Sequence, residues 1–131
     1  MKALLIAIAA LAAVTAHAAD KVKVGFVSTL SGPNASIGID IRDAFNLAIK
    51  LNGGRLGGLP AEVLVADDQF KPDVGRQAAE KYVRLDKVHF LTGIVFSNIM
   101  LASVPIAFDN KLIYVSPNAA PSPLAGKQCN P

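Results

Sequence analysis

The sequence predicts an α/β fold, a three-layer arrangement in which a parallel, doubly wound sheet carries helices on both faces. Three observations predict it. Apolar runs of strand length alternate with segments whose apolar residues recur at helical spacing, in the order strand, helix, strand, helix, strand, helix, strand. Each strand reaches the next through a helix, and right-handed crossovers of that kind wind the strands parallel. The strand segments are rich in Val, Ile, Leu and Phe rather than strictly alternating, as befits strands covered on both sides.

Each element has its own justification. Residues 21–28 begin by alternating, Lys21-Val22-Lys23-Val24, and finish apolar through Phe26 and Val27, which suits a strand entering a sheet. Ser31-Gly32-Pro33-Asn34 turns the chain. From Ser36 onward Ile37, Ile41, Phe45 and Ile49 share a helix face, while Asp40, Arg42, Asp43 and Lys50 take the solvent side. Asn52-Gly53-Gly54 stops that helix, and residues 56–60 form a glycine-rich return. Residues 62–66 make a second strand ending in Asp67-Asp68. Pro72 opens a second helix, with Val74, Ala78, Tyr82 and Leu85 on one face. Residues 89–95 read as a third strand, residues 98–109 as a short helix bent or broken near Pro105, and residues 111–116 as a fourth strand. The tail, residues 117–131, contains Pro117, Pro121, Pro123 and Pro131 and reads as a loop. Doubly wound sheets usually continue to five or six strands, so a sheet of four is expected to be part of a longer protein.

Composition narrows the function classes. Lys2 followed by an unbroken apolar run over residues 3–14 and then Ala16-His17-Ala18 has the order of a secretory signal peptide, so residues 1–18 are expected to be removed. That run is too short to span a bilayer, which takes about 20 apolar residues. The expected mature chain is therefore exported, with no membrane anchor. The formal net charge of +3 is spread along the chain and forms no basic stripe, which argues against nucleic acid as a partner. Cys129 is the single cysteine, so neither an internal disulfide nor a cysteine-based zinc site can form.

In an open parallel sheet, ligands bind beyond the carboxyl ends of the strands. Four segments qualify: residues 29–37, 67–71, 96–99 and 117–121. Phe96-Ser97-Asn98 offers a hydroxyl and free amides at a helix start, fit to cradle a carboxylate, with Phe96 as an apolar wall. The same residues could simply cap the helix, and residue chemistry alone favours capping. Asp67 and Asp68 could hold a cation or accept a phosphoryl group. A solvated loop in which one acid bonds nearby amides is the better reading, since no further acid stands after the first strand. His89 has no second His or Cys at ligand spacing, and no serine sits in a Gly-x-Ser-x-Gly context. The glycines of residues 53–58 follow a helix and precede a strand, the reverse of a phosphate or dinucleotide loop. Catalysis, cofactor and metal are therefore not expected.

A family comes into view in the combination of these motifs. They are the leader, the strand running into Leu30-Ser31-Gly32-Pro33, the turn Leu51-Asn52-Gly53-Gly54, the return Leu56-Gly57-Gly58-Leu59-Pro60, the Asp67-Asp68 strand end and Ser116-Pro117-Asn118-Ala119-Ala120-Pro121. Together they resemble the leucine/isoleucine/valine-binding type of periplasmic binding protein, the extracytoplasmic receptors of branched-chain amino-acid ABC importers. The resemblance implies two α/β lobes that close on a solute, of which residues 19–131 would supply the first part of the N-terminal lobe. It implies a small carboxylate-bearing solute, a membrane permease as partner and a periplasmic address. It also implies that Ser97 grips the carboxylate, and it tips the balance at that residue from capping to binding. In amino-acid readers of the family, a residue aligned with Asn118 turns its carbonyl to the ligand ammonium, and a hydroxyl residue stands where Ala120 does. An aromatic residue common in the first loop is replaced by Ile37. These departures, with Pro121-Ser122-Pro123-Leu124-Ala125-Gly126 ahead of Cys129, look more like relatives that take up aromatic acids. The competing expectations are a ligand-sensing domain of the same fold in a signalling system and a fragment of an exported α/β enzyme.

Overall fold

A computed structural model describes residues 21–126; the expected leader and Cys129 lie outside the described residues. The first strand, β1 (Val22–Ser28), is the centre of the sheet. It pairs in parallel with β3 (Leu59–Asp67) along its whole length, from Val22 opposite Ala61 to Ser28 opposite Asp67. On its other side it pairs in parallel with β4 (Phe90–Thr92), which in turn pairs in parallel with β5 (Ile113–Val115). The two-residue strand β2 (Arg55–Leu56) closes the far edge, giving the order β2-β3-β1-β4-β5. The chain thus winds outward from β1 to β3, then crosses back to β4 and β5. In doubly wound sheets such a reversal marks where ligands bind, here the carboxyl ends of β1 and β4.

Alternation along β1 assigns the two faces. The Phe26 ring lies 5.6 Å from that of Phe45 on α1 (Ala35–Leu51), so the even-numbered residues face α1. Val27 belongs to the buried cluster on the opposite face, with Leu91, Ile94, Ile99, Met100, Val104 and Ala107. That face is covered by α2 (Pro72–Lys81) and α3 (Ser97–Asp109), which pack on each other. Gly25 permits the close packing there, because a Cβ at this position would meet the side chains of Tyr82 and Leu91 within 3 Å. The α1 face is less complete: Ile113 and Val115 of β5 are 67% and 52% exposed. The predicted fold class stands, and its three layers are in place.

The structure departs from the sequence reading in five particulars. The return at residues 56–60 is a β-hairpin, with Arg55 opposite Pro60 and Leu56 opposite Leu59. Gly57 and Gly58, at φ of 56° and 83°, make its two-residue turn, which needs left-handed backbone at both positions. The sheet is therefore parallel over four strands with an antiparallel edge. Second, residues 82–86 continue α2 as a wide π-type turn, and one extra residue in the turn rotates Leu85 away from the apolar face to 75% exposure. Third, β4 ends at Thr92; Gly93 takes φ of 101°, and Ile94 and Val95 are apolar because they are buried loop residues. Fourth, α3 runs unbroken through Pro105. The carbonyl that loses its partner belongs to Leu101, on the exposed side, where water can bond it. Fifth, the tail contains a single helical turn, α4 (Ser122–Ala125), with Pro123 in its first turn, where a missing amide hydrogen costs nothing.

Candidate functional site

Four loops follow the carboxyl ends of the parallel strands; hydrogen bonds tie the first to the second and the third to the fourth, and a contact between the Phe70 and Phe96 rings joins the two pairs into one rim. After β1, Thr29 is completely buried and donates its hydroxyl to Asp68 Oδ1 at 2.5 Å. The Leu30 amide donates to Asp67 Oδ1 at 2.9 Å, so both acids after β3 are spent on the loop after β1. Each acid also turns its own backbone. Asp67 Oδ1 accepts from the Gln69 amide at 2.9 Å, and Asp68 Oδ1 from the Phe70 amide at 2.8 Å. These two bonds hold Gln69 and Phe70 at φ of 54° and 60°, a conformation that residues with a Cβ seldom take.

The acids respond oppositely to this setting. Burial raises the Asp67 pKa, but the Ser31 hydroxyl and the amides of Leu30, Gln69 and Ser31 outweigh it, and the net shift is downward. Asp68 is fully buried, and desolvation pushes it above the ordinary carboxylate range despite the Thr29 and Phe70 bonds, with the Asp67 charge adding to the rise. Among the described residues, no group of three His, Cys, Asp or Glu side chains could hold a metal ion. The pair is a scaffold for the rim, more deeply buried than the solvated loop the sequence suggests.

The third loop carries the carboxylate candidates. Phe96 occupies the N-cap position of α3 in extended conformation, and α3 has no side-chain cap hydrogen bond. Ser97 and Asn98 are the first two helical residues, both exposed. Neither side chain therefore caps the helix, the role residue chemistry favours for them. Amides of a first helical turn have no partners within the helix, so the Ser97 hydroxyl stands on an exposed turn beside amides that lack helical partners. The Phe96 ring is half-buried and meets the Phe70 ring edge-to-face, with centroids 4.6 Å apart.

The fourth loop is fastened to the third. Asn118 donates from Nδ2 to the Val95 carbonyl at 2.9 Å, and the Ser116 hydroxyl donates to the Ala119 carbonyl. Asn118 thus sets the distance between the loop after β5 and the start of α3. Ala120 lines an apolar cavity of about 260 Å³ between α3, β5 and α4, with Met100, Phe108, Tyr114, Pro121 and Leu124 among its walls. Phe96, Ser97, Asn98 and Ile37 take no part in that cavity. Ile37, 46% exposed, stands on the first turn of α1, the helix that follows β1. Gly38 beside it lets α1 press against the Thr29 carbonyl. The structure therefore keeps Phe96, Ser97 and Asn98 together at the start of α3 with Asn118 bonded to the Val95 carbonyl just before them, sets Ile37 on α1 at the other face of the sheet, and puts Ala120 in the cavity between α3, β5 and α4. Sequence reasoning missed Phe70. Two successive acids, each able to bond the amide two residues on, are the signal that could have found it.

A family profile described as "Periplasmic binding protein" matches residues 21–131. The Leu/Ile/Val-binding protein homolog 6 of Brucella abortus (strain 2308) is 31% identical over 123 residues, covering 93% of this chain and 31% of that protein. A solute-binding protein of an ABC transporter from R. palustris, solved in complex with benzoate, superposes with a TM-score of 0.79 at 28% identity, covering 84% of this chain and 31% of that one. A second, from Rhodopseudomonas palustris BisB5 in complex with 3,4-dihydroxybenzoic acid, gives a TM-score of 0.74 at 31% identity, covering 79% and 29%. The chain spans about a third of the length of the relatives it matches.

Proposed function

The chain belongs to the periplasmic binding protein family, a family of binding proteins rather than enzymes, and from that premise we propose that it forms part of an extracytoplasmic receptor. The receptor captures a small carboxylate-bearing solute, an amino acid or an aromatic acid, and delivers it to the membrane permease of an ABC importer. Ser97 is the centre of the grip: its hydroxyl and the first amides of α3 receive the carboxylate, with Phe96 and Asn98 beside it and Ile37 contributed from α1. Asn118 and Ala120 belong to the loop that borders the solute's other end. The observation that carries this reading is the uncapped start of α3, where donors are exposed at the switch point of the sheet. Relatives whose names or complexes include branched-chain amino acids and benzoates support a carboxylate as the common feature.

A charge-assisted hydrogen bond contributes about 1.5–3 kcal/mol. Ser97→Ala in the full-length polypeptide encoded by the gene should therefore weaken carboxylate binding about tenfold or more, read by calorimetric titration. Unchanged affinity would remove Ser97 from the site. The leader reading, residues 1–18, assigns the receptor to the periplasm. A mature N-terminus at residue 19 in the periplasmic fraction is the expected result, and a retained leader would contradict it. Permease and ATPase genes beside this one are the expected context for the transport role; a kinase or regulator there would favour a sensor.

A further inference from the structure

Phe70 is an apolar ring, 41% exposed, in a loop whose other residues are Asp67, Asp68, Gln69 and Lys71. Nothing in that composition calls for an exposed phenylalanine, and its backbone is costly too. Gln69 and Phe70 are consecutive left-handed residues, neither of them glycine. The fold supports this conformation with two carboxylates. One of them, on Asp68, is completely buried and anchored to the buried Thr29 hydroxyl of the neighbouring loop. Strained backbone of this kind persists where the surroundings over-determine it, and here they fix the Phe70 side chain against Phe96 at the carboxyl edge of the sheet. The ring meets Phe96 at an interplanar angle of 85°, and Phe96 immediately precedes Ser97.

We infer that Phe70 is a specificity-determining residue: with Phe96 it forms a right-angled aromatic corner beside Ser97 that selects planar aromatic carboxylates over non-planar aliphatic ones. This rests on the receptor reading above and names the solute class of that site. Two perpendicular rings present a face and an edge to an incoming molecule. A planar aryl ring answers both through its quadrupole, stacking on one and meeting the other edge-to-face. A saturated ring of the same size and charge gains only contact area. The Asp67-Asp68 pair is then the device that holds the corner open, through the Phe70 amide.

The test uses the full-length polypeptide and two probes of matched size and charge, benzoate and cyclohexanecarboxylate, with leucine as a third. Affinities are measured by calorimetry for the wild type, Phe70→Leu and Phe70→Tyr, with urea midpoints confirming that each is folded. Phe70→Leu keeps an apolar side chain against Phe96 but removes the ring. It should weaken benzoate about tenfold, change cyclohexanecarboxylate by less than about twofold, and be rescued by Phe70→Tyr. Should Phe70→Leu not fold, the wild-type preference between the two probes decides: tighter benzoate binding supports the corner, equal or weaker binding overturns it. Equal losses for both probes in Phe70→Leu, or no loss for either, overturn it as well. Binding of leucine without benzoate would leave the receptor reading standing and overturn this one, whereas binding of no carboxylate would remove both.

Discussion

Gly38 fixes how close the first turns of α1 come to the end of β1, and Gly38→Ala obstructs that contact. A Cβ at this position would lie 2.7 Å from the Ser28 hydroxyl oxygen, 3.0 Å from the Thr29 carbonyl carbon and closer still to the Thr29 carbonyl oxygen. Two of these atoms are backbone of Thr29, the buried residue directly after β1 whose hydroxyl is bonded to Asp68, so they cannot swing aside as a flexible side chain could. Relief requires the start of α1 to lift, opening the packing over Phe26. Overpacking of this kind costs about 1–3 kcal/mol. Against it stands the gain of replacing glycine by alanine inside a helix, about 1 kcal/mol. With a backbone obstruction the upper part of the cost applies, so a net loss of about 1–2 kcal/mol follows. That lowers the folded-to-unfolded ratio about 5- to 30-fold. Urea unfolding followed by far-UV circular dichroism reads it directly. Ala44→Gly, at an exposed position of the same helix, reports propensity alone and should lose about 1 kcal/mol. A Gly38→Ala variant more stable than the wild type would show that propensity decides and that α1 does not press on Thr29.

The remaining predictions concern the rim. Asp67 has a lowered folded pKa, so its stabilisation is present above its unfolded value near 3.8 and is lost as the pH falls through the folded value below it. Asp67→Asn should match the wild type in strong acid and fall behind it near neutrality in urea midpoints; a constant difference would contradict the assignment. Asp68 has a raised folded pKa, so burying its charge costs stability once the pH rises through that value. The stability of Asp68→Asn relative to the wild type should therefore improve from about pH 3 to about pH 7, opposite in sign to Asp67→Asn, and a shared sign would refute the opposed shifts. Asn118→Ala removes a bond to the Val95 carbonyl worth about 1 kcal/mol. It should lower the thermal midpoint and speed amide exchange at the start of α3; unaltered exchange at Ser97 would show that the fourth loop does not steady the third.

How much of this was legible depends on how local each signal is. The strand at β1 follows from its apolar run, buried from Val24 to Ser28, and the helices α1 and α2 follow from apolar periodicity even though α1 fully buries only Ala35 and Gly38. Ile94 and Val95 misled that reasoning, since burial makes loop residues as apolar as a strand. The β2 hairpin has only two residues per arm and offers no period to detect. Leu85 needed a change of helical pitch that spacing cannot announce. In the candidate site, Phe96, Ser97 and Asn98 were visible as a strand-to-helix junction. Phe70 was not, because its placement depends on Thr29 from another loop and on a left-handed backbone. The bond from Asn118 to Val95 joins residues 23 positions apart and depends on the pairing of β4 with β5.

A carboxylate held at the start of α3 is tested most directly by a crystal structure of the full-length polypeptide with benzoate bound. The expected electron density places a carboxylate oxygen within about 3 Å of both the Ser97 hydroxyl and an α3 first-turn amide. Benzoate bound elsewhere, or a Ser97 side chain turned away from it, would contradict the central claim.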